Sequence, residues 1–136
     1  MKIFSLFLSA LAALIVLPAC VENDVNKDEK DRLVGFWKIN RISGGITGSG
    51  YPADFTAVQF HPDGTYTILD NDDVVGEGTY ALVKEQDKLI LRILPNDPIN
   101  LIFESPEKEI VFASDKLLIR DPCCDFYEYE FLKDIN

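Results

Sequence analysis

From residue 33 onward, apolar side chains come in short runs that alternate with polar ones, and turn-forming residues break the pattern every few positions. This predicts β-strands joined by tight connections. The first run, 33–42, holds the sole tryptophan. Alternation sets Trp37, Ile39 and Arg41 on one face and Phe36, Lys38 and Asn40 on the other, with Trp37 inward. Four glycines within 43–52 cannot sustain regular structure cheaply, so residues 44–50 read as a long loop and a candidate mouth or lid. Residues 56–60 and 65–68 flank His61-Pro62-Asp63-Gly64, whose side chains suit a hairpin turn. A strand over 74–83 follows, with a bend expected at Gly76 or Gly78. Four further runs, 89–94, 99–104, 109–114 and 117–120, are separated by short connections, among them 95–98 and 105–108. The last run, 126–131, sets Tyr127, Tyr129 and Phe131 against Glu128 and Glu130. Eight or nine strands with short connections and no long helix predict an all-β domain, a single antiparallel up-and-down barrel.

The chain before residue 33 has a different character. Lys2 precedes an apolar run over 3–17, which has the form of a secretory signal and is too short for a permanent span. It ends in Leu17-Pro18-Ala19-Cys20, which resembles the lipobox of bacterial lipoproteins, with Cys20 as the first mature residue. That resemblance implies a signal peptide over 1–19 and a diacylglycerol and an acyl chain such as palmitate on Cys20, enough to hold a protein stably on a membrane. The other reading of Cys20 is a free thiol in a secreted, soluble protein. Residues 20–32 then form a lipidated cysteine and an acidic, flexible tether with a reach of roughly 40 Å. Its final part, 28–33, suits one helical turn capped by Asn26. Acidic residues so soon after the cysteine resemble the surface-export signal of some Gram-negative lipoproteins, which implies a cell-envelope, outer-membrane location on the periplasmic or surface face.

Charge narrows the partners. The chain carries 13 Lys and Arg against 23 Asp and Glu, a net charge of −10, and loss of residues 1–19 removes only Lys2, leaving 12 against 23, or −11. Such a surface excludes nucleic acid as an expected partner, since phosphate binding needs clustered Lys and Arg. It also disfavours docking on anionic lipid, so the membrane contact expected is the lipid on Cys20.

Gly35-Phe36-Trp37 at the start of the first strand, the glycine-rich loop after it and the Asp63-Gly64-Thr65-Tyr66 hairpin resemble compact lipocalin-like domains of bacterial lipoproteins, over roughly residues 33–132 of a domain taken as 33–136. A second lipoprotein family, resembling heat-shock proteins of the META type, shares the Gly-x-Trp strand, but its Gly-Cys-Asn motif is missing here. The lipocalin resemblance implies that Trp37, after Gly35, plugs the closed end of the barrel under a late-strand arginine, for which Arg120 is the match.

No nucleophile elbow, phosphate-cradling loop or zinc-ligand spacing is present, so neither an enzyme nor a cofactor is expected. The Asp70, Asp72 and Asp73 turn lacks the calcium-loop pattern, and His61 reads as a solvent-facing turn residue. Cys123 and Cys124 are open to three readings: thiols in a structural turn, a labile vicinal disulfide, or metal or intermolecular chemistry. Among the aromatics, Tyr66, Tyr80, Phe103, Tyr127 and Tyr129 form the candidate ligand set, lining a pocket for a small apolar or amphipathic molecule. The same side chains could instead fill the barrel and leave a structural or protein-interaction lipoprotein.

Overall fold

The structure, a computed structural model, describes residues 25–45, 50–97, 105–122 and 127–135. A short helix, α1 (Lys27–Leu33), leads into eight strands: β1 (Gly35–Gly44), β2 (Ala57–Phe60), β3 (Thr65–Asp70), β4 (Asp73–Glu85), β5 (Lys88–Pro95), β6 (Glu107–Ala113), β7 (Lys116–Arg120) and β8 (Tyr127–Lys133). Each strand pairs antiparallel with its neighbours in sequence, and β8 returns to β1, so the sheet closes into an up-and-down barrel. Closure gives each of the eight described strands a partner on both sides. This is the architecture that the alternation and the short connections predict. The expected strand over 99–104 lies outside the described residues, as do Cys20, Phe103, Cys123 and Cys124, and the barrel closes through the eight strands named.

Helix α1 begins where Asn26 caps it. Asn26 Oδ1 accepts from the Asp28 amide at 3.2 Å, and Glu29 accepts from the Asn26 amide at 3.3 Å, a reciprocal capping box. The helix lies across the end of the barrel where β1 starts and β8 finishes. Leu33 is fully buried there, and Val25 joins the same core. Residues 25–32, expected to be tether, thus belong to the fold, because Val25 and Leu33 give a seven-residue helix an apolar anchor on each side. Glu29 reaches Lys84 at the end of β4 at 3.9 Å.

The hairpin at 61–64 is closed by the His61 amide donating to the Thr65 carbonyl at 2.9 Å, while Asp63 Oδ1 accepts from the Thr65 amide and hydroxyl. The first strand departs from simple alternation. Its register against β8 shifts between Ile39 and Arg41, and the Asn40 side chain bonds across to Glu130. The extra residue turns the phase over, so Arg41 is exposed and Ile42 buried. A second shift lies between Ile68 and Leu69 opposite Gly76 and Val74, beside one of the two glycines expected to bend that strand.

The core runs the length of the barrel: Leu33, Trp37, Phe60 and Leu117 toward the helix end, Val58, Ile68, Leu91, Ile110 and Phe131 behind them, and Ile42 and Tyr129 toward the other. From the far end the segment after β1 turns inward, where Phe55 is buried and stacks on Phe131 with ring centres 6.2 Å apart.

Candidate functional site at the loop end of the barrel

Two ends with different chemistry result. At the helix end Trp37 is 2% exposed, its Nε1 donates to the Leu33 carbonyl at 2.8 Å, and its ring lies 6.4 Å from Phe112. The cation over Trp37 is Lys133, 5.2 Å from the ring centre, and its Nζ also donates to the Arg32 carbonyl at 3.3 Å. Arg120, expected over Trp37, is on the outside instead. Ile119 takes the inward position, so its neighbour points to solvent and pairs with Glu109 at 3.1 Å. Arg32 lies over Phe112 at 4.5 Å, so two cations cover this end. Gly35 begins β1 at φ +135°, and a side chain there would press on Lys133 at 3.3 Å.

The candidate tyrosines divide between two clusters. Tyr66 is buried against Phe60, with ring centres 6.5 Å apart, and Tyr80 meets Phe60 edge-on at 5.1 Å. The Tyr80 hydroxyl donates to the His61 carbonyl at 2.7 Å, which employs it in the hairpin. Gly78 makes room for Tyr66: an added Cβ would lie 2.7 Å from the Tyr66 hydroxyl and collide with the Leu94 carbonyl. Burial raises the Tyr66 hydroxyl above its usual value of 10.0, and burial together with nearby Asp63 does the same for Tyr80. Tyr127 and Tyr129 stand apart from this pair on β8, with β1 and β2 intervening. Tyr129 is 5% exposed beside Ile42 and Ile119, and Tyr127 meets Tyr51 edge-on at 5.0 Å. His61 is half-buried, with Nε2 3.0 Å from Thr67 Oγ1. Asn71 and Asp72, at φ 48° and 77°, make the tight turn from β3 to β4 between Asp70 and Asp73.

Lys108 and Asp121 form a buried ion pair outside the candidate set. Lys108 shares the inward face of β6 with Ile110 and is 1% exposed; its Nζ donates to Asp121 Oδ1 at 2.6 Å, and the aspartate side chain is 9% exposed. Residues 105–108 read as a connection in the sequence, which hid this lysine. The signal was present: Lys108, Ile110 and Phe112 alternate with Glu107, Glu109 and Val111, so period two assigns Lys108 inward once Ile110 is inward. Carrying the β7–β8 register one residue past Arg120↔Glu128 sets Asp121 across from Tyr127. A buried ion pair and the Tyr127 and Tyr129 side chains therefore share the loop end of the barrel. Burying such a pair contributes little net stability, since desolvation offsets the attraction, so its presence calls for another account.

Outside the barrel, Glu109 accepts from Arg120 at 3.1 Å and Lys88 at 3.5 Å. The Arg120 hydrogen bond, helped by the charges of Arg120 and Lys88, holds the Glu109 carboxyl below its ordinary value of 4.5. A depressed carboxyl adds stability that is fully present above about pH 4.5 and is lost as pH falls through the folded-state value. Glu109→Gln is expected to cost about 1–2 kcal/mol at neutral pH and progressively less as the pH falls from about 4.5 through the folded-state value, read from urea midpoints along that series. A cost that persists unchanged into acid would rule out the ion pair as its source.

Among the described residues, no group of three His, Cys, Asp or Glu side chains converges as a metal site. Comparison of the chain with protein-family models, with curated proteins and with solved structures finds no match in any of the three.

Proposed function

We propose that this chain is a lipid-anchored envelope lipoprotein whose lipocalin-like barrel binds a small amphipathic molecule at its loop end, without catalysing a reaction on it. The observation that carries this reading is the enclosed Lys108–Asp121 pair beside Tyr127 and Tyr129, opposite an end shut by α1 and Trp37. Polar groups placed among aromatic walls orient a ligand whose remainder is apolar. The anchor rests on the lipobox-like residues 17–20.

Native mass spectrometry of the chain from residue 21 onward, made in an exporting host, tests the binding. A mass lost on denaturation identifies the ligand. For the anchor, labelled palmitate is expected to enter the wild-type chain and not Cys20→Ala; equal labelling of both would remove Cys20 from the account. One observation favours a second reading, a filled barrel that acts through its acidic surface: Phe55 already occupies interior space against Phe131. A bare polypeptide mass in the same spectrum would favour it.

A further inference from the structure

Resting on the binding function proposed above, we infer that the ligand is an anion of the carboxylate class, and that its head group takes the place of Asp121 on Lys108. The two partners of the pair are held differently. Lys108 lies within β6, opposite Leu91 of β5, with Glu109 beside it paired to Arg120 of β7. Its ammonium group is therefore carried on ladder-bound backbone. Asp121 is the first residue beyond β7 and precedes Pro122, which has no amide hydrogen to bind a neighbouring strand. The acid is the partner that can leave and the lysine the one that stays.

The exchange conserves charge. The cost of removing the Lys108 ammonium from water has already been met in folding, and a ligand carboxylate keeps it paired while Asp121 gains water. A neutral head group of similar size leaves the ammonium unpaired if Asp121 departs, and a cationic head group adds repulsion. Tyr127, which the β7–β8 register sets across from Asp121, and Tyr129, across from Ile119, supply the aromatic surface nearest in register for the apolar body. The net charge of −10 opposes an incoming anion at long range, but salt at physiological strength screens exposed charges beyond roughly 8 Å, so selection falls to contact with Lys108.

The test is titration of the mature chain with decanoate, 1-decanol and decylamine, which share a tail and differ in head group. Decanoate is expected to bind at least ten-fold more tightly than decanol, and decylamine most weakly. Asp121→Asn supplies the discriminating variant. It removes the competing acid but keeps its shape, so decanoate affinity should rise about ten-fold and decanoate should restore thermal stability lost in the variant. Equal binding of decanoate and decanol, unchanged in Asp121→Asn, would overturn this inference and leave the binding function standing. Tightest binding of decylamine would overturn it in the same way. Binding of none of the three, together with a bare native mass, would overturn the binding function and this inference with it.

Discussion

Trp37→Ala is expected to lower the stability of the domain by about 3–5 kcal/mol, the range for removing a large aromatic side chain from a closed core. The side chain is 2% exposed and joins three elements. Its indole N–H satisfies the Leu33 carbonyl at the end of α1, its ring packs on Phe112 of β6, and Lys133 of β8 covers it. Alanine leaves a cavity, an unpaired carbonyl under the helix and an ammonium group without its aromatic surface. Trp37→Phe keeps most of the packing but loses the hydrogen bond, so a cost of about 1–2 kcal/mol is expected from that substitution. Urea unfolding of the three proteins, followed by far-UV circular dichroism, gives the comparison. An alanine variant within 1 kcal/mol of wild type, on the scale of cavity costs, would show that the helix end closes without the indole.

Lys108→Met is expected to cost a similar amount, about 3–5 kcal/mol, for an electrostatic reason. It strands the Asp121 carboxylate, 9% exposed, with its cation gone. Replacing both residues, as Lys108→Met with Asp121→Leu, is expected to recover most of that loss or to exceed wild type, because two apolar side chains of similar volume require no desolvation of charge. The double-mutant cycle isolates the coupling. If the double variant were as unstable as the single one, Lys108 would matter through its packing and not its charge. If the double variant is stable but no longer holds ligand, the pair is retained for binding and not for folding.

What the sequence revealed and what it concealed divide along one line. The Asn26 cap, the turn at 61–64 and the inward face of Tyr129 and Phe131 were legible because each depends on residues within four positions of itself. The barrel followed from these, since short connections leave antiparallel neighbours few alternatives. Features set by register between distant strands were not legible. The one-residue shift between Ile39 and Arg41 arises in the pairing with β8, about ninety residues away, and nothing local signals that Ile42 rather than Arg41 turns inward. Which cation covers Trp37 is likewise decided across the β1–β8 seam, where Lys133 arrives and Arg120 does not. The candidate ligand tyrosines were recognisable as a type, but their division into a β3–β4 pair and a β8 pair is a property of the closed sheet.

If Cys20 carries lipid as proposed, the burial of Val25 would limit how the domain can stand on a membrane. With lipid on Cys20, five residue steps lead from the anchor to a side chain already seated in the core at the helix end, a reach of roughly 17 Å. Such an anchor would be attached near the closed pole, so α1 would face the bilayer and the opposite pole would be turned to the aqueous compartment. On that arrangement, a molecule entering at that pole would come from the solution or from a facing carrier and not from the leaflet that holds the lipid.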